Sequence, residues 1–227
     1  MNILTWYGHS TIGINTNGTK CIVDPFFDNN PASPIKASEV EADVLLITHG
    51  HSDHIGDTIA IAKRTGALVI SNYEIVRWLG QKGVLNTHAQ HIGGGHQYPF
   101  GYLKLTMALH GSILEDGSNG GNPAGLLLTT IDGKKIYCAG DTGLFGDMRL
   151  IGEEGIDIAL LPIGDNYTMG PSDALRAVKL IDPKVVVPIH FNTWNLIDQD
   201  VEKWAEDVRR ETRSIPKVLL PGETLEF

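Results

Sequence analysis

Apolar and polar positions alternate along the first part of the chain, a pattern with the two-residue period of strands. Residues 2–7, 10–15 and 19–23 are short runs rich in β-branched and aromatic side chains, separated by Gly8-His9 and Asn17-Gly18. Asn-Gly between such runs is a hairpin signal, because both residues tolerate positive φ. An antiparallel meander is expected, ending at Asp24-Pro25, where proline removes a ladder donor. Residues 26–38 contain Pro31 and Pro34 and have the character of a surface loop.

The pattern then changes. Residues 44–47 are continuously apolar, as in a central strand. Residues 55–64 are apolar at 55, 59, 61 and 62, which predicts a helix closed by Gly66 in the C′ position. Residues 67–70 form a predicted strand and 73–80 a predicted helix with Asn72 as its N-cap. This alternation predicts a locally parallel sheet. Gly93-Gly94-Gly95 lacks the Gly-Lys-Ser/Thr ending of a phosphate cradle and is expected to be a flexible loop, with His88, His91 and His96 as solvated loop histidines.

The second half repeats the first in outline. Residues 102–109 alternate, and 124–131 with 134–139 make a hairpin around Asp132-Gly133. Strand-like runs at 156–163, 185–189 and 218–220 interleave with helical patterns at 172–181 and 200–210. Pro171 precedes Ser172, the expected N-cap, and Val201, Trp204, Ala205 and Val208 form an apolar stripe. Residues 111–123 are rich in Gly, Ser, Asn and Asp and predict a mobile loop. Residues 1–227 are expected to form one domain of two similar halves.

Composition narrows the partners. A net charge of −9 argues against nonspecific nucleic-acid binding and against docking on anionic membranes. Cys21 and Cys138 each lie in an apolar strand-like run and are expected to be buried, reduced thiols. With no basic n-region before an apolar h-region, and no apolar run near ~20 residues, a cytoplasmic location is expected. Exposed tryptophans such as Trp78 or Trp194 are candidates for a homo-oligomer interface.

The chemistry concentrates in Thr48-His49-Gly50-His51-Ser52-Asp53-His54, directly after the apolar run 44–47. One ion cannot easily take four groups from so short a loop, whereas two neighbouring ions can, with alternate residues pointing to each. His110, Asp141 and His190 each follow a predicted strand as well. Ligands in layered α/β folds gather outside the carboxyl ends of strands, so these segments are expected to meet on one rim. Imidazole and carboxylate without thiolate suit zinc first, and manganese, iron or nickel also.

The order His49-x-His51-x-Asp53-His54, then His110, Asp141 and His190, resembles the metal ligands of the metallo-β-lactamase superfamily. The resemblance covers essentially the whole chain and implies an α/β protein, a four-layer αββα sandwich of two mixed β-sheets flanked by helices. Gly8-His9-Ser10, Asp24-Pro25-Phe26, residues 140–145, Thr168-Met169-Gly170-Pro171 and residues 188–193 are similar to a largely uncharacterised branch of metal-dependent hydrolases, which resembles the L-ascorbate-6-phosphate lactonases. It implies two divalent ions, one held by His49, His51 and His110, the other by Asp53, His54 and His190, with Asp141 bridging. A dinuclear metal-bound hydroxide would then cleave an ester, lactone or phosphoester bond of a small molecule, with Asp53 as both ligand and catalytic proton acceptor. Asp24 is expected to brace the histidine loop, His9 to reach substrate or a ligand, and Asp165 and Asn192 to stand near the substrate. Two other readings share the fold. One is a non-catalytic metal-binding or sensor module. The other is a redox di-iron protein, which commonly carries glutamate at the place His51 occupies.

Overall fold

A computed structural model describes residues 2–227. Strands β1 (Ile3–Trp6), β2 (Ile12–Thr16) and β3 (Thr19–Val23) form the expected antiparallel meander. Strands β4 (Val44–Leu46), β5 (Leu68–Asn72) and β6 (Thr87–Gln90) then add in parallel. Helices α1 (Ser52–Ile55), α2 (Thr58–Thr65) and α3 (Tyr73–Gln81) connect them. The second sheet opens with β7 (Gly95–Tyr98), β8 (Gly101–Met107), β9 (Ala124–Thr130) and β10 (Lys135–Cys138), all antiparallel neighbours. Three parallel strands follow, β11 (Ile158–Pro162), β12 (Val185–Ile189) and β13 (Ile215–Pro216). Helices α4 (Met148–Gly152), α5 (Pro171–Ile181) and α6 (Val201–Glu211) belong to this half. A last strand, β14 (Thr224–Glu226), returns to pair with β1. The sheet orders are β14-β1-β2-β3-β4-β5-β6 and β13-β12-β11-β10-β9-β8-β7, so each half is a meander continued by parallel strands.

The pleat sorts side chains between layers. On the central strands, Cys21, Val23, Val44 and Leu46 join Leu105, Leu128 and Ile136 in the core between the sheets. Their alternates Ile22, Leu45 and Ile47 face away and pack with Ile61, Ile75, Trp78 and Leu79 beneath α2 and α3. On the far side, Ala174, Val178, Trp204 and Val208 of α5 and α6 cover the second sheet. The result is two mixed sheets flanked by helices, as expected.

Several local expectations change. The helix expected over 55–64 is broken at Gly56 (φ 23°), where a Cβ would sit 2.6 Å from the Pro25 carbonyl oxygen. Helix α5 starts with Pro171 at its first position and Gly170 as N-cap, not Ser172. The strand expected at 218–220 lies at Ile215–Pro216. The triple-glycine segment is tied down rather than loose: Gly93 N–H donates to Leu105 O (2.8 Å) and Leu105 N–H to Gly94 O (3.0 Å), and Gly95 opens β7. Trp78 is buried, its indole N–H donating to Asp116 (2.7 Å), so it offers no interface. Both cysteines are free and buried, as expected, and burial pushes each thiol up to about 12.

Candidate metal centre

Strands β1, β3, β4, β8, β10 and β12 all run toward one rim. Beyond their carboxyl ends stand His9, Asp24, His49 to His54, His110, Asp141 and His190 in turn. His9 (φ 54°), Asp24 (φ 45°) and His190 (φ 54°) adopt left-handed backbone, which costs on the order of 1 kcal/mol or more for a side-chain-bearing residue. The surrounding structure holds these turns because they swing the side chains inward.

Three imidazoles form one group. His49 Nε2 lies 3.0 Å from His51 Nδ1, and His110 Nε2 lies 3.2 Å from the same atom. Those spacings are close to the ~3.3 Å edge of a tetrahedron built on metal–nitrogen bonds of about 2.0–2.1 Å. Burial lowers all three below the usual histidine range, leaving them neutral and able to present lone pairs.

A second group lies beside it. Asp53 Oδ2 is 3.6 Å from His54 Nε2 and 3.9 Å from His190 Nε2. Asp141 stands between the groups: its Oδ2 is 3.0 Å from His190 Nε2, 3.3 Å from His54 Nε2 and 3.5 Å from His110 Nε2. A single carboxylate oxygen therefore faces nitrogens of both groups.

The next layer of contacts sets tautomers. His54 Nδ1–H donates to Asp24 Oδ2 (2.8 Å), which turns Nε2 toward the cluster. Asp24 also accepts from the Thr48 backbone N–H at Oδ1 (2.8 Å) and from the Thr48 hydroxyl at Oδ2 (2.6 Å). That leaves the Thr48 oxygen to accept from His49 Nδ1–H (3.0 Å). Asp24 thus hydrogen-bonds the histidine loop at Thr48 and at His54. His9 is fully buried. Its Nε2 lies 3.0 Å from Asp53 Oδ2 and its Nδ1 2.8 Å from the Thr193 hydroxyl. Burial above all lowers His9 to about 4, so it is neutral and its one proton is best used as a donor to Asp53.

The charges fit bound cations. Burial would lower His54, yet Asp141 and Asp24 outweigh it and hold this imidazole well above its usual range. Burial would raise Asp53 and Asp141, yet the histidines around them hold both carboxyls below the usual range. Positive charge is therefore favoured at the centre of the cluster. His54 Nε2, Asp141 Oδ1 and His190 Nδ1 are buried without hydrogen-bond partners. All three side chains belong to the expected ligands, and unsatisfied buried polar atoms in such a group suit a metal, which would take the place of the His54 proton. The residues present fit divalent ions.

The cluster floors a cavity of about 690 Å³. Phe26, Ile55, Ile59, Trp78, Tyr167 and Trp194 supply its apolar walls, and Asn29, Asp57 and Glu115 add polar edges. Asp165 and Asn192 do not line this cavity. Asp165 Oδ1 accepts from its neighbour's Asn166 N–H (2.9 Å), and Asn192 Oδ1 from Gln199 N–H (2.6 Å), so both fold back on their own loops. Tyr167 and Trp194, two positions further along each loop, reach the cavity in their place. Thr193 lies in the run 188–193 yet the sequence assigns it no role, because its partner His9 is distant along the chain.

A family model described as the beta-lactamase superfamily domain matches residues 19–191. The chain is similar to a UPF0173 metal-dependent hydrolase of Geobacillus sp. (strain WCH70), 51% identical over 229 residues that cover 99% of each chain. It is 50% identical over 230 residues, again 99% of each, to another of that description from Bacillus velezensis. Among solved structures it is similar to Igni18, a metallo hydrolase from the hyperthermophilic archaeon Ignicoccus hospitalis. That likeness has a TM-score of 0.90 at 39% identity and covers 100% of this chain and 99% of the other. The likeness to ascorbate-phosphate lactonases rests on the sequence motifs alone.

Proposed function

The chain belongs to the metal-dependent hydrolases of the beta-lactamase superfamily, and on that premise we propose that it holds two divalent ions and cleaves an ester, lactone or phosphoester bond of a small molecule. The observation that carries the two-ion reading is Asp141 Oδ2, which faces His54, His110 and His190 nitrogens within 3.5 Å. One ion would take His49, His51 and His110, the other Asp53, His54 and His190, with Asp141 serving both. When bound, such a pair supplies an ionised water near neutral pH and polarises the scissile carbonyl or phosphoryl oxygen.

The chain's own groups do the rest. Asp53 is ionised and partly open to the cavity, its side chain 25% exposed, so its carboxylate can accept a hydrogen bond from water on the cavity side and orient it. His9 holds the Asp53 carboxylate in place through Nε2–H. Asp24 fixes the His54 ring, and Thr48 fixes His49. The apolar walls strip bulk water from the bound molecule. Zinc, manganese, iron and nickel all suit these ligands.

Elemental analysis of purified protein, followed by a panel of lactones, esters and phosphodiesters, tests the reading. Two equivalents of metal and turnover of at least one ester class are expected. Asp141→Ala should lose both ions or nearly so, and retention of two metals in that variant would remove the bridging role. Two bound metals with no turnover on the panel would favour the non-catalytic sensor reading instead.

A further inference from the structure

Among the described residues, sixteen wall the cavity over the cluster, and none of them is lysine or arginine. The cation in contact with the wall from behind, Lys82, lies over the Trp78 ring (5.0 Å) and is paired with Asp116 (3.4 Å). Asp57 and Glu115 stand on the wall instead. Phosphorylated and carboxylated substrates are generally met by arginine or lysine forks, since a bound anion stripped of water needs a counter-charge.

The ions themselves do not supply one. Asp24, Asp53 and Asp141 offset three of the four positive charges that two divalent ions bring, and Asp57 and Glu115 more than cancel the fourth. A second anion on the substrate would therefore sit in a field of its own sign. Away from the cluster and these carboxylates, one broad part of the wall is apolar. Phe26 and Trp194 lie side by side, ring centroids 6.2 Å apart, and Ile59 and Tyr167 add to this surface. Aromatic faces of this kind take up flat or aliphatic bodies.

We propose that the substrate is an uncharged ester or lactone with an apolar body, and that molecules carrying a phosphate or carboxylate on that body are rejected. The proposal rests on the hydrolase reading and narrows it. In the reaction the oxygen of water bonds to the acyl carbon, the acyl–oxygen bond breaks, and the departing alkoxide leaves as the alcohol with a proton from that water. The remaining acid ionises, so the same field that turns anions away also favours release of the product.

Matched probes test this on the metal-loaded protein. 4-Nitrophenyl butyrate and 4-nitrophenyl hemisuccinate share a leaving group and differ by a distal carboxylate. The neutral ester should be preferred by about tenfold in kcat/KM at low salt, and the gap should narrow as salt rises. Exposed Glu115 changed to lysine (E115K) should shrink the preference several-fold without loss of metal. A second readout is binding: Trp78 and Trp194 line the cavity, so butyranilide should quench tryptophan fluorescence at lower concentration than succinanilic acid. Equal quenching by the two, no quenching by either, or faster turnover of the hemisuccinate or of 4-nitrophenyl phosphate overturns the proposal. If no ester is turned over but the neutral anilide still binds better, the hydrolase reading falls while the pocket preference stands.

Discussion

His9 shows how one residue's conformation and chemistry combine at this site. Its backbone is left-handed, its ring is buried, and its Nε2–H points at Asp53 Oδ2. A carboxylate that must present one oxygen to an ion is more exact when a donor holds it, and losing such a partner typically lowers metal affinity 10–100-fold. His9→Phe keeps an aromatic ring but removes the donor. The expected outcome is a loss of about 10–100-fold in affinity for one ion only, read by chelator competition, with the His49–His51–His110 ion unchanged. Equal loss of both ions would mean that the variant disturbs the rim as a whole. The sequence could suggest that His9 reaches the site, since Gly8-His9 follows a strand. It could not tell a ligand from a donor, because that depends on Thr193, 184 positions away, standing 2.8 Å from the other ring nitrogen. Asp165 and Asn192 illustrate the opposite case. Both lie on loops over the rim, and short polar side chains in left-handed backbone bond their own loop more readily than they reach outward.

At the scale of elements, what was legible followed from period and caps. Asn72 was readable as an N-cap, and its side chain accepts from Ile75 N–H at 2.9 Å. Edge strands β6 and β7 were not readable, since Thr87–Gln90 and Gly95–Tyr98 are mostly polar and show no alternation, β6 half-buried and β7 mostly exposed. Asp157, just before β11, shows how the parallel strands are aligned. Its Oδ2 accepts from the Lys135 backbone N–H (2.8 Å) at the start of β10, and its Oδ1 pairs with Lys184 (2.7 Å) ahead of β12. Burial would raise this carboxyl, but Lys184 and the Lys135 N–H outweigh it and hold it below its usual range. A depressed folded value means stability that is present above the unfolded pKa near 3.9 and lost as pH falls through the folded value. Asp157→Asn should therefore cost about 1 kcal/mol at neutral pH, and the difference from the parent should begin to shrink as pH drops below about 4 and vanish below the depressed folded value. Urea unfolding in the presence of chelator, repeated at several pH values, reads this directly. A difference that persists unchanged at low pH would locate the cost in packing instead.

The two sheets contribute unequally to the centre and meet in it. His49, His51, Asp53 and His54 extend from β4 of the first sheet, whereas His110, Asp141 and His190 extend from β8, β10 and β12 of the second. Each proposed ion would thus take ligands from both sheets, and metal would act as a clip across the sandwich at its open rim. The four-segment ligand order was legible because every segment follows a strand. The clip was not, because a sequence does not say which strands share a sheet. The sandwich does not depend on the clip for its core, since Leu4, Leu103, Leu128 and Ile136 are buried between the sheets. Chelation should leave the fold intact but less stable. An ion present at about 1,000 times its Kd contributes about 4.1 kcal/mol to the folded state, and at this chain length each kcal/mol is worth roughly 2–4 °C. Removing one such ion should lower Tm by about 8–16 °C with the far-UV circular dichroism unchanged at 25 °C, and adding back zinc or manganese should restore it. Asp141→Ala, already short of metal, should show almost no response to chelator. A Tm that ignores chelation in the parent protein would mean that the ions do not join the two sheets, whatever they do in catalysis.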